Sequence, residues 1–579
     1  MQKLHAGRLS LEYSDGSIWN ISLGGEELVR RIYLVFQDIN WTSRPFNILQ
    51  EKWEIHEDRF SAEIDLCGTK DAENFQVKMA ISGNPDGVVS YRFEGSSEKE
   101  FKRNRLGLCL LHPIANLAGR DCTLTLSDGS QVESNFPLEI SANQPFKNLA
   151  GISHEAVTGE KIKIEFFGEI FETEDHRNWS DASFKTYCTP IDLPFPAEVE
   201  ARSQINQEIR ISLTGVANNP PTPLENQILI TLANSEVNLP DFGLSLADVY
   251  SDSDHDSFDE LGLKHLRLNI DLEKNTAAGL AKAVDLTNSL NLELWVALNV
   301  DGEAQLIQFL NSKIGILKEV DRFLIFSKSS KVTPAQLVAA ARNILGADAS
   351  ITGGTDLYFT EINRGSPVVP GIDQINFSIN PQVHSFDDRT LIQNLATQEV
   401  IAKNARRLAG SLKVGVGPIS LRPRFNPNAT APEKDVSNTA LPSSVDLRQL
   451  TYFAEAWTAI SMKYLSQSGD INSATYFETV GWRGIRESDA GSQDSTNFPS
   501  KPSEPFPVWK VFAAIKGFSK SVPSYSTKPE IVDSFVIRNS EATRIILANF
   551  SNEQQQVHFE GIDLPLLKLP PLSTTYLDV

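Results

Sequence analysis

The chain has 579 residues, 41% hydrophobic and 22% charged, and carries 53 Lys and Arg against 74 Asp and Glu for a formal charge of −21. Such a composition is globular, which excludes a disordered or fibrous chain, and the negative charge repels nucleic acid and anionic membrane surfaces. The length suggests roughly two to four domains. The four cysteines, Cys67, Cys109, Cys122 and Cys188, show no CxxC spacing and are too few to staple so long a chain, so reduced thiols and a cytoplasmic location are expected. The opening MQKLHAGRLS has no signal-peptide pattern, and no window approaches 18 uninterrupted apolar residues, so neither export nor membrane spanning is expected.

Residues 1–215 read as strands throughout. LSLEYSDGSIWNISL, FSAEIDLCG, FQVKMAIS, VVSYRFEG, CTLTLSDGS, KIKIEFFGEIFETE and EIRISLTG alternate apolar and polar positions between Asp-Gly and Gly-Asn turns. Many short half-polar strands predict an N-terminal β-sandwich.

After a Pro-rich joint at 217–227, short apolar strands alternate with helical runs over 228–520. Eight strands are predicted: DFGLSLA (241–247), HLRLNIDL (265–272), LELWVALN (292–299), RFLIFSK (322–328), DLYFTEINR (356–364), QINFSIN (374–380), KVGVGPISL (413–421) and ATYFETVGW (474–482). SFDELGL after the first strand is weak as a helix, and the connection 365–373 is too short for one. Eight strands with parallel crossovers over a length near the usual ~250 residues predict a central TIM (β/α)8 barrel. No GxGxxG or GxxxxGK[ST] opens a helix, which argues against nucleotide binding. Residues 530–579 return to strands and are too few to stand alone, so this small C-terminal β domain is expected to pack on the barrel or complete a sheet with the N-terminal part. The fold class is therefore multidomain β plus α/β.

Barrel enzymes take their catalytic groups from the carboxyl ends of the strands. Glu361 and Glu478 close the predicted fifth and eighth strands, and two carboxyls in one cavity can be driven to different pKa values as acid and base. The plainer reading is that they form ion pairs with Arg364 and Arg483. His384 precedes Asp387 and Asp388, either of which could fix its tautomer or merely cap the next helix. Arg267, Asn269, Asn299 and Lys328 near strand ends two to four suit a hydroxylated substrate, as do Asn363, Arg364 and Arg483; Trp482 offers a platform for a sugar-like ring or a core contact. The scattered histidines, without HxH or HExxH, imply no metal, and no cofactor is expected. The segment from Glu172 to Tyr187 packs charges of both signs with three aromatics; it is read either as a brace or as a loop capping the barrel mouth, with Asp181 offered to substrate.

The string EDHRNWSDASFKTYCTP, with RNRLGLCLLHP before it and TEINR, NPQVHSFDD, GPISLRPRFNP and ETVGWRG after it, resembles the bacterial D-apionolactonase (D-apionate lactonase) family of D-apiose catabolism. The resemblance implies hydrolysis of a five-membered sugar lactone, a small-molecule partner, by an enzyme with a β domain, a TIM barrel and a small β domain. It carries over no catalytic residues. Lactone hydrolysis needs a base for water, donors for an oxyanion and an acid for the ring oxygen. Glu361 and Glu478 are expected as base and acid in either order, His384 as donor or alternate base, and Arg364 or Arg483 as the oxyanion cation. No G-x-S-x-G elbow supports a serine nucleophile. The competing readings are a retaining glycoside hydrolase using the same two glutamates, and a carbohydrate-binding protein without turnover.

Overall fold

The computed structural model describes residues 1–70, 72, 74–215, 227–272, 279–425 and 441–579. These form two compact units, one from residues 1–177 and 182–215, the other from the remaining described residues together with Asn178–Asp181. The Pro-rich joint, apart from its last residue, lies outside the described residues.

In the first unit an antiparallel meander, Gln2–Ala6, Leu9–Ser14, Ser17–Leu23 and Glu26–Gln37, continues through Arg105–Pro113, Ser183–Tyr187 and Phe171–Asp175. A second run, Phe46–Ile55, Phe60–Gly68, Phe75–Gly83 and Val89–Ser97, passes through Gln204–Thr214 and Lys161–Phe167 to Phe146–Glu155, which pairs with Phe171–Asp175 and joins the two runs. Period-two patterning explains the packing: along Phe75–Gly83 the side chains of Phe75, Val77, Met79 and Ile81 are buried while the intervening ones are exposed. One apolar core lies between the runs. Tyr13 of one run meets Trp53 of the other at 4.6 Å, as a sandwich requires. The segment 172–187 is not the long loop expected. Glu172 to Asp175 pair with Phe184 to Tyr187 as a hairpin, and a 3-10 turn, His176–Trp179, forms its tip. Arg177 is buried here, bonded to Asp175 at 2.7 Å and to the Leu138 carbonyl at 2.9 Å.

The second unit contains a closed barrel of eight parallel strands: Asp241–Ser245, His265–Asp271, Glu293–Val300, Arg322–Ser327, Ile351–Tyr358, Gln374–Ile379, Lys413–Ile419 and Ser473–Glu478. The first and last strands pair and close it. The predicted strands match these except the fifth, which begins at Ile351 and ends at Tyr358; the residues expected to finish it form a short helix, Phe359–Arg364. The weak helix after the first strand is two 3-10 turns, Ser253–His255 and Phe258–Glu260. Thr397–Ala409 buries Thr397, Ile401, Ala405 and Ala409, one stripe at helical spacing, and stops at Gly410 with φ +62°.

The boundary at 228 shifts, because Ile228–Leu232 and Val237–Asn238 are not barrel elements. They pair with C-terminal strands, the first alongside Gln555–Glu560 and Ser524–Ser526, the second beside Lys520–Val522. The C-terminal β part thus draws strands from both flanks of the barrel around its own apolar cluster. It packs on the barrel helix Tyr452–Gln467, where Lys463 Nζ and Tyr464 Oη donate to Asp533 at 2.6 and 2.8 Å and Tyr576 Oη donates to Glu455 at 2.8 Å. That cover explains why this helix is buried on nearly every face. Among the described residues no helix is long and apolar enough to cross a membrane.

Candidate active site

The mouth of the barrel is organised around Asp356, near the end of the fifth strand. Arg267 donates from Nη2 to Asp356 Oδ1 at 2.6 Å, from Nε to Asn269 at 2.9 Å and from Nη1 to the Gly417 carbonyl at 3.0 Å. Arg424, beyond the seventh strand, donates from Nη2 to the Asp356 carbonyl at 2.7 Å and lies 3.1 Å from Oδ1. Asn299 Nδ2 stands 3.4 Å from the other carboxylate oxygen. Burial alone would raise the Asp356 pKa, but the Arg424 and Arg267 guanidiniums outweigh it and hold the carboxyl below its usual range.

Glu478 owes its orientation to a bulge. Side chains alternate along a strand, and Tyr476 points outward, its hydroxyl 2.9 Å from Ser461 on the helix Tyr452–Gln467. Regular alternation would send Glu478 the same way. Instead Leu244 pairs with Tyr476 and Ser245 with Glu478, so Phe477 is an extra residue, held at φ +28°. A bulge reverses the face of the side chain that follows it, and the strained Phe477 backbone marks where this occurs. Glu478 Oε1 consequently accepts from Arg483 Nε at 2.7 Å and its carboxylate feels Asp248 and Arg424. Burial raises its pKa above the ordinary carboxyl value, with Arg483 opposing the shift. Asp356 is thus shifted down and Glu478 up, each by its own burial and its own neighbouring charges.

A third cluster involves Asn178–Asp181, which group with the barrel. Asp181 Oδ2 lies 2.6 Å from His384 Nδ1, and its other oxygen accepts from Asn394 Nδ2 at 2.9 Å. Trp179 stands edge-on to Tyr358 and His384, each at 5.9 Å, with the Arg364 guanidinium 5.8 Å from its ring. Asn363 donates to Asn178 at 2.9 Å. The expected partners of His384 are engaged elsewhere: Asp387 caps the helix Asp388–Gln393 by accepting from the Thr390 backbone N–H at 2.9 Å, and Asp388 accepts from Arg448 at 2.7 Å.

The expected site residues therefore fall into separate groups. Arg267, Asn269 and Asn299 meet around Asp356, Glu478 meets Arg483, and His384 meets Asp181 with Asn363 and Arg364 alongside. Glu361 does not stand at a strand end. It lies on the short helix Phe359–Arg364, and its ion pair is with Lys331 at 3.6 Å rather than with Arg364. Lys328 pairs with Asp271 at 2.8 Å, and Trp482 is anchored by donation to Ser492 at 2.9 Å and packs on Phe498. Arg177 and Lys185, in the segment read as a possible cap, are buried, and Lys185 lies on a strand of the first unit. Asp356 opens the predicted fifth strand and Arg424 lies just beyond the predicted seventh, and the sequence assigns neither a role. Gly353 and Gly354 weaken the strand pattern ahead of Asp356, yet a strand begun at Ile351 would have set Asp356 near its carboxyl end.

Residues 1–216 match the N-terminal domain of D-apionate lactonase, and residues 247–520 match the TIM barrel domain of D-apionate lactonase. A D-apionate lactonase from Brucella anthropi is 28% identical over 448 residues, covering 73% of each chain. Among solved structures, a GH30 endoxylanase from Clostridium papyrosolvens C71 aligns with 11% identity and a TM-score of 0.36 over 61% of this chain and 97% of its own. A GH51 arabinofuranosidase from Xanthomonas axonopodis pv. citri aligns with 12% identity and a TM-score of 0.39 over 58% of this chain and 89% of its own. With both of its larger domains matched in order, the chain belongs to the D-apionate lactonase family of lactone-hydrolysing carboxylic-ester hydrolases.

Proposed function

We propose that the chain hydrolyses D-apionolactone to D-apionate in the catabolism of D-apiose, at the carboxyl end of its barrel. The observation that carries the reading is the match of both larger domains to this family, together with strand-end carboxyls held by cations, Glu478 by Arg483 at 2.7 Å and Asp356 by Arg267 at 2.6 Å. His384 is the base: with the Nδ1 proton donated to Asp181, Nε2 is the basic nitrogen, and the side chain keeps 23% of its surface exposed. His384 takes a proton from water as the water oxygen bonds to the lactone carbonyl carbon, and the carbonyl π pair moves onto its oxygen. That pair then re-forms the C=O bond, the bond from carbon to ring oxygen breaks, and Glu478 gives its proton to the departing oxygen. The hydroxy acid ionises, and the two displaced protons return Glu478 to its protonated form and leave one in solution. Glu361, beside Lys331, is the alternative base. Four free cysteines support a reducing, cytoplasmic setting.

The test is direct. Purified protein should acidify a weakly buffered solution of D-apionolactone and release no nitrophenol from nitrophenyl arabinofuranosides or xylosides. Nitrophenol release without acidification of the lactone would replace this reading with glycoside hydrolysis.

A further inference from the structure

We infer that Arg424 is the group that receives the oxyanion of the tetrahedral intermediate and, once the ring opens, seats the product carboxylate. This deepens the lactonase reading and rests on it. The charges around Asp356 do not balance: one carboxylate stands between two guanidiniums, so the cluster keeps one surplus positive charge. Arg267 is fully buried and uses Nε, Nη1 and Nη2, on Asn269, Gly417 and Asp356. The surplus therefore belongs to Arg424. Its side chain is 25% exposed, and both of its polar contacts, to the Asp356 carbonyl and Oδ1, are made by Nη2; among the described residues its Nε and Nη1 make none. An uncommitted edge of a guanidinium fork is the geometry that receives two oxygens of a carboxylate.

Among the described residues, three other cations near the strand ends are engaged by protein groups. Arg483 donates to Glu478 and to Ser444, Lys331 faces Glu361, and Lys328 holds Asp271. Arg424 is also fixed before any ligand arrives, by Asp356 on one side and by the Phe425 ring 5.3 Å from its guanidinium carbon. A donor held in place spends no free energy on reorganising as charge develops, which is the basis of oxyanion stabilisation. It also acts on both carboxyls of the pair, since its charge opposes protonation of Asp356 and of Glu478. Asp356 and Arg267 are then positioning residues that carry Arg424.

The test uses the full chain with Arg424→Met and Arg424→Lys, reading kcat and KM for D-apionolactone and the inhibition constant of sodium D-apionate. Arg424→Met should lose about 100-fold or more in kcat, the effect of removing one oxyanion donor, with little change in KM for the neutral lactone. Its inhibition constant for D-apionate should rise by at least about tenfold, as expected for losing a charged hydrogen bond, with Arg424→Lys in between. Calorimetric titration with D-apionate reads the same site without turnover, and unchanged circular dichroism shows that the variants are folded. If wild type hydrolyses the lactone and folded Arg424→Met binds D-apionate as wild type does, Arg424 is not the anion seat and the lactonase reading stands. If wild type hydrolyses no lactone but binds D-apionate in an Arg424-dependent way, the anion seat stands and the lactonase reading fails.

Discussion

Replacing Asp356 with Ala should open the barrel mouth locally. Arg267 is fully buried and would keep its bonds to Asn269 and Gly417, but it would lose its only ion-pair partner among the described residues. Stranding a buried charge in this way costs about 3–5 kcal/mol. The other two losses add little: Arg424 is partly exposed and can turn to solvent, and the Asn299 contact at 3.4 Å is long. The chain folds as more than one unit, so a single melting temperature is a poor readout. Native-state hydrogen exchange of the peptides spanning His265–Asp271 and Ile351–Tyr358 reads the site itself. A loss of 3–5 kcal/mol corresponds to exchange faster by about 100-fold to several thousand-fold where opening of these strands controls exchange. Asp356→Asn should cost nearly as much, because it keeps the shape and loses the charge. The double variant Arg267→Met with Asp356→Leu should recover most of the loss, since apolar groups of similar size leave no stranded charge. Exchange within about tenfold of wild type in folded Asp356→Ala would show that the Arg267 charge does not depend on Asp356, and the account of the cluster would fail.

Glu478→Gln should lower kcat by about 100-fold or more while circular dichroism stays native, the usual worth of a general acid; near-native turnover in a pH-stat removes Glu478 from the mechanism. Arg483→Met removes the cation that opposes burial at Glu478, so the Glu478 pKa should climb further and the alkaline limb of kcat/KM, where the acid loses its proton, should move to higher pH. A limb that stays put or moves down in pH contradicts this. Asp181→Asn should cut kcat by about 100-fold or more with KM little changed, because an amide in place of the carboxylate no longer selects the tautomer with its proton on Nδ1. Added imidazole should restore part of the activity of His384→Ala, whereas Glu361→Gln should stay active; the reverse pattern would make Glu361 the base.

Much of the architecture was legible because it rests on periodicity. The alternation along FQVKMAIS and the succession of βα units are repeated signals, and each survives an error of a residue or two. The fifth strand was misplaced where that signal failed. Gly353 and Gly354 contribute no side chains to the pattern, and Gly354 sits at φ +91° where a Cβ would lie 2.4 Å from the Asn376 carbonyl oxygen. The predicted strand therefore begins too late, with Asp356 as its first residue and Glu361 near its end, where the structure has a short helix. The C-terminal sheet carries a pairing of a different kind. Ile228–Leu232 lies more than 300 residues in sequence from the parallel strand Gln555–Glu560, and nothing local in either segment announces its partner.

The mouth itself was harder to read, because its two best-defined contacts depend on breaks in regularity. Glu478 was singled out for standing after an apolar strand, yet strict alternation from Tyr476 would have turned it toward the helix layer; the bulge at Phe477 is what turns it inward. A bulge is one residue of extra backbone and leaves no periodic trace. His384 stands out in the sequence for the aspartates beside it, yet its carboxylate is Asp181, 203 residues away along the chain and next to Ser180, which takes φ +70°. Residue types and strand ends narrow the search for a site. The pairings that would set its chemistry follow from where the backbone departs from its repeat, and those departures are visible only once the chain is folded.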